Sequence, residues 1–127
     1  MDDLGPETWT LKGILEAYPG AQAVPVPMPR GRPSPAVMYK VMAKVFAILN
    51  VKGEQAVILK SDLHLAESLR EQYAGIGHRS HLGMNWISVT LDGDVPPEEI
   101  ERLAASSYAL VCSGLTRKQK AELAGLA

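Results

Sequence analysis

From Val37 to Lys60 apolar side chains recur at every second position. Val37, Tyr39 and Val41 alternate with Met38, Lys40 and Met42; Val45, Ala47, Leu49 and Val51 alternate with Phe46, Ile48 and Asn50; Ala56, Ile58 and Lys60 alternate with Val57 and Leu59. A period of two with β-branched residues is the pattern of strands, whose side chains point in turn to the two faces of a sheet. Only Ala43-Lys44 separates the first run from the second, and Lys52-Gly53-Glu54 the second from the third. Parallel neighbours need a crossover of about a dozen residues or more, so runs joined this tightly form an antiparallel meander. Lys44 and Lys52 then fall at turns on opposite ends of the middle strand. A further strand over 86–91 turns Ile87, Val89 and Leu91 to one face and Trp86, Ser88 and Thr90 to the other.

Elsewhere the spacing changes to three and four. Trp9, Leu11, Ile14, Leu15 and Tyr18 predict a short helix over 7–17, with Glu7 near its positive end and Pro19-Gly20 stopping it. After Ser61, Asp62 is a good N-cap for a helix striped by Leu65, Ala66, Leu69 and Tyr73, with His64, Glu67, Ser68, Arg70 and Glu71 facing out. Gly75 and Gly77 end it. Pro96-Pro97-Glu98-Glu99 opens another helix, striped by Ile100, Leu103, Ala104, Ser107, Tyr108 and Val111 and capped by Gly114. A last helix after Thr116 starts with basic residues that oppose its dipole, which predicts a frayed tail over 116–127. Between 19 and 35 stand six prolines, which prevent helix and confine any strand to a sheet edge. That stretch reads as an extended connection or as a basic arm tipped by Arg30-Gly31-Arg32.

Composition narrows the class. The 127 residues, 46% hydrophobic and 21% charged, suit one globular domain over 1–127. The net charge of −1 makes no global field for nucleic acid or membrane, yet the charge is uneven. Between residues 30 and 60, Arg30, Arg32, Lys40, Lys44, Lys52 and Lys60 stand against Glu54 alone, whereas 92–101 hold five acids and no base. Cys112 is the single cysteine, so no intrachain disulfide forms and a reducing, cytoplasmic setting is expected. No apolar run approaches the ~18 residues of a membrane span, so no membrane association is expected.

Chemistry is sparse. No glycine-rich phosphate loop, nucleophile elbow, HExxH or CxxC occurs, so no catalytic residue and no cofactor is expected. His78 and His81 are three apart, but a zinc site needs three or four ligands and Cys112 is distant, so no metal site is expected either. The loop Gly77-His78-Arg79-Ser80-His81 fits polar structure or ligand contact.

The order of the pieces resembles the MmcQ/YjbR family of small bacterial proteins. They are Pro19-Gly20-Ala21, Tyr39-Lys40-Val41 before Lys44-Val45-Phe46-Ala47, and Leu59-Lys60-Ser61-Asp62 before Leu65-Ala66-Glu67-Ser68-Leu69-Arg70. His81-Leu82, Trp86-Ile87-Ser88-Val89, Leu91-Asp92-Gly93-Asp94-Val95-Pro96 and Ser107-Tyr108-Ala109-Leu110-Val111 follow. The chain departs from the family at Met42-Ala43, where a small glycine-rich turn is usual. The resemblance implies a frataxin-like (CyaY-like) α+β fold, a two-layer arrangement with a twisted antiparallel sheet packed against N- and C-terminal helices, in a monomer. It also implies DNA binding through a double wing of hairpins. On that reading Arg30, Arg32, Lys40, Lys44, Lys52 and Arg79 contact phosphate. The alternative is a small-molecule or protein ligand held by Tyr39, Arg79, His81 and Trp86, although the plainer role for Trp86 is to fill core. Iron carriage, which frataxins perform with an acidic ridge, is not expected, because the first helix offers Glu7 and Glu16 with Lys12 between them.

Overall fold

A computed structural model describes residues 5–78 and 85–126. Arg79 and His81 therefore lie outside the described residues. The elements run α1 (Pro6–Ala17), β1 (Gln22–Pro25), a 3-10 turn (Pro29–Gly31), β2 (Ala36–Val41), β3 (Lys44–Asn50), β4 (Ala56–Lys60), α2 (Leu63–Gln72), β5 (Ile76–His78), β6 (Trp86–Thr90), α3 (Pro97–Ser113) and α4 (Arg117–Leu126). The strands form one antiparallel sheet in the order β1-β2-β3-β4-β6-β5. The expected α+β, two-layer architecture is the one observed. The proline-rich segment supplies β1 at one edge, where Pro25 ends the strand and its missing N–H costs no ladder bond. Three residues expected to be loop, Ile76–His78, form the other edge by pairing with β6.

Alternation along each strand gives the sheet two unlike faces. Tyr39, Ala47, Leu59 and Ile87 form one cross-strand row and Val37, Leu49, Val57 and Val89 the next. Apart from half-buried Val37, which packs against it, both rows belong to a single core cluster with Leu11 and Leu15 of α1, Ala66 and Leu69 of α2, and Leu103, Ala104 and Val111 of α3. The helices thus cover one face. Ala36, Ala56 and Ile58 project from the other face and are buried, yet they stand outside that cluster. No helix among the described residues is long and apolar enough to cross a membrane.

Two local devices hold the covered face together. The register of β2 against β3 shifts at Tyr39/Lys40, so that Phe46 is an extra residue and both Phe46 and Ala47 turn to the core. The β3–β4 ladder stops at Ala47↔Leu59 as a result. Buried Ser107 of α3 fills the gap: its hydroxyl accepts from the Lys60 N–H (2.9 Å) and donates to the Phe46 carbonyl. The Asp94 carboxylate accepts the backbone N–H groups of Ala74 and Gly75, both at 2.8 Å, and so fixes the chain between α2 and β5. Those two bonds, Gly75 first, hold the Asp94 carboxyl below its ordinary value. Gly75 itself is required, since a Cβ there would stand 2.8 Å from Asp94 Oδ1.

The helices follow the sequence with two corrections to their buried stripes. Asp62 caps α2, accepting from the N–H groups of His64 (2.8 Å) and Leu65 (3.2 Å). Trp9, expected in the stripe of α1, is 55% exposed, and Thr8 is buried in its stead. Leu65 likewise faces solvent on α2, leaving Ala66 and Leu69 as the buried pair. The expected last helix, α4, is described to Leu126. Thr116 and Gln119 form a reciprocal capping box at its start, Gln119 N–H to Thr116 Oγ1 (3.1 Å) and Thr116 N–H to Gln119 Oε1 (3.0 Å).

Candidate functional site

The open face of the sheet carries the arrangement best suited to a ligand. Lys40, Lys60 and Trp86 each stand one residue beyond the buried row Tyr39–Ala47–Leu59–Ile87, on the opposite face, and Lys60 pairs directly with Trp86. Adjacent strands lie about 4.8 Å apart, so the backbones of Lys40 and Lys60, two strands apart, are separated by about 10 Å. Trp86 is one strand further. Behind this band Met38, Ile48 and Ile58 form an apolar row across β2, β3 and β4, with Ser88 next on β6. Trp86, Lys40 and Lys60 are all half-buried. Asn50 and Thr90 continue the face towards its far end, and no carboxylate occupies a strand position on it among the described residues. The ion pairs found among those residues, Lys12–Glu16 and Arg102–Glu99, lie on helices and leave both lysines free of acidic partners.

The sequence-derived candidates divide among several places. Lys40 is on the open face. Lys44 is at the tip of the β2–β3 hairpin, exposed, and its register partner Val41 belongs to the covered face, so Lys44 borders the band and does not lie within it. Lys52 sits at the opposite end of the sheet, where the N–H groups of Val51 and Lys52 both donate to the Pro35 carbonyl. Arg30 lies within the exposed turn of the proline-rich segment and Arg32 just after it, and the segment enters β2 at that same end. Seven residues of β3, about 20 Å, separate the two groups of cations. Arg79 and His81 lie outside the described residues.

Tyr39 is a correction. It is fully buried on the helix-covered face, and its hydroxyl donates to Glu16 of α1 at 3.2 Å. Burial, then the Glu16 charge and hydrogen bond, push the phenol pKa well above its usual value. It cannot share a ligand surface with Trp86 across the thickness of the sheet. Trp86, for which ligand contact and core filling were both readings, stands half-buried on the open face. Lys60 was missed as a site residue, although the signal was present: it alternates in phase with Ile58 and therefore shares its face.

The remaining family-matching pieces are structural. Tyr108 stacks on Tyr18 with centroids 4.7 Å apart, meets Phe46 edge-on, and donates its hydroxyl to the Pro19 carbonyl at 2.6 Å. Burial, followed by the neighbouring Cys112, pushes its phenol up to about 12. On the helix side, an apolar groove of about 240 Å³ between α1 and α3 is lined by Leu11, Ile14, Leu91 and Ile100 and rimmed by Glu7 and Glu101. Its acidic rim is opposite in sign to the lysine band. Among the described residues no three His, Cys, Asp or Glu side chains group as a metal centre.

Comparisons with known proteins bear on the family and the fold. The family model described as YjbR matches residues 16–110. The Escherichia coli (strain K12) protein described as "Uncharacterized protein YjbR" is 37% identical over 75 residues, which cover 58% of this chain and 64% of that protein. The match therefore spans less than two thirds of that curated relative. Among solved structures, a Deinococcus radiodurans protein with a DUF419 domain superposes with a TM-score of 0.75 at 29% identity, covering 92% of this chain and 86% of the other. A Pseudomonas syringae protein superposes with a TM-score of 0.65 at 20% identity, covering 84% and 98%, a likeness of fold alone.

Proposed function

The chain belongs to the YjbR family, and from that premise we propose that it is a non-enzymatic nucleic-acid-binding protein whose contact surface is the hairpin end of the open sheet face. Lys40 and Lys60 meet phosphate there, with Lys44 at the hairpin tip extending the positive edge. The observation that supports the reading is that Lys40 and Lys60 share a face on which, among the described residues, no strand position holds a carboxylate, although the whole chain carries a net charge of −1. A negative chain that keeps acids off one face favours polyanion there and repels it elsewhere. Phosphate contacts by lysine release counterions, so binding is salt-dependent and tolerant of sequence.

The test is fluorescence anisotropy with labelled DNA of random sequence at low and near-physiological salt. Joint reversal of Lys40 and Lys60 to Glu is expected to weaken binding by about tenfold or more, with thermal stability unchanged. Reversal of Arg30, Arg32 and Lys52 is expected to leave affinity within about twofold. The opposite ranking would move the interface to the other end of the sheet and refute this placement.

A further inference from the structure

We propose that the nucleic acid this face accepts is single-stranded, with an unpaired base laid against Trp86 while flanking phosphates reach Lys40 and Lys60. The inference rests on the reading above and specifies the form of its ligand.

The chemistry of the face carries it. A duplex presents phosphate outside and keeps its bases stacked within; reading it takes a helix or ribbon that enters a groove. The centre of this face offers no such projection. It is an apolar row, Met38, Ile48 and Ile58, in which Met38 and Ile48 are half-buried and keep part of their surface open. Duplex phosphates would gain nothing there, whereas the flat, weakly polar faces of unpaired bases would. Trp86 supplies an indole on the same face, directly across the ladder from Lys60, so that stacking and phosphate contact fall on neighbouring strands about 4.8 Å apart. Aromatic stacking accepts any base because every base has a π-face. Among the described residues, the strand positions of the face next to Trp86 offer Ser88 and Lys60 and no array of donors and acceptors that could read a base edge. The expected ligand is therefore a single strand bound with little sequence preference.

Intrinsic fluorescence gives the direct test. The chain has two tryptophans, and Trp9 on α1 is 55% exposed and remote from this face. In Trp9→Phe the emission reports Trp86 alone. Titration with oligothymidylate is expected to quench it, and the single strand is expected to bind about tenfold tighter than a duplex of equal length, as one stacked base supplies. Trp86→Ala is expected to remove that preference and leave duplex affinity within about twofold; the quenching measurement, made with Trp86 intact, stands even if Trp86→Ala does not fold. Salt-dependent duplex binding with no quenching and no single-strand preference would overturn this inference while leaving the phosphate reading in place. Absence of binding to either form at low salt would overturn both.

Discussion

The two faces of the sheet are built from the same alternating strands and do different work. The helix-covered face holds Tyr39, Phe46, Leu49, Leu59 and Ile87 at zero exposure, and two polar side chains that intrude on it have partners. Tyr39 donates to Glu16, and Ser107 bridges the backbone of Phe46 and Lys60. The open face holds half-buried Met38, Ile48, Lys40, Lys60 and Trp86, and among the described residues the helices of the core cluster lie on the other side. A side chain on the first face is fixed by packing. On the second it is free to meet something else. Residues that match the family fall on both faces, Tyr39 and Ser107 on the first and Lys40, Lys60 and Trp86 on the second, so resemblance alone does not separate what holds the fold together from what could bind.

That contrast can be broken by substitution. Phe46→Ala should cost about 3–5 kcal/mol, because it empties a fully buried aromatic site. Met38→Gln, one strand away on the open face, should cost less than about 1 kcal/mol; urea unfolding of both variants gives the comparison, and equal losses would show that the open face is packed after all. Ser107→Ala should cost about 2 kcal/mol by stranding a buried N–H and a buried carbonyl.

A smaller and opposite effect is expected at the hairpin tip. Met42 (φ 49°) and Ala43 (φ 68°) both occupy the left-handed region that a two-residue hairpin demands and that neither residue favours. Met42 is retained there by its packing against the core cluster. Ala43 has no such compensation, and Ala43→Gly should stabilise the protein by about 1 kcal/mol, read as a raised melting temperature. The smallest effect is pH-dependent. The folded Asp94 carboxyl titrates below its ordinary value of 3.8, so its stabilisation is complete above about pH 4 and is lost as the pH falls through the folded value. Asp94→Asn should lower the urea midpoint at neutral pH and reduce that acid-side loss.

Much of this was legible from periodicity. Strands of period two gave the meander, and their phase already placed Lys60 with Ile58 and Trp86 opposite Ile87. Asp62 and Gly114 marked helix ends because capping is local chemistry. What escaped the sequence depends on contacts between distant segments. Tyr39 was read as a surface aromatic because nothing local reveals Glu16 of α1 waiting for its hydroxyl. β5 exists through pairing with β6 and through Asp94, nineteen residues from Gly75. The division of the cations between two ends of the sheet follows from strand direction, which the short turns had already implied for Lys44 and Lys52.

The most direct test of the account is the slope of log K against log salt for DNA binding by the wild type and by the double variant Lys40→Gln, Lys60→Gln. Each phosphate contact contributes a slope of about −0.9 on duplex and about −0.7 on single strands, so removal of both lysines should flatten the slope by roughly 1.4 to 1.8 units. A slope unchanged by the double substitution would mean that the open face does not carry the phosphate, and would contradict the account.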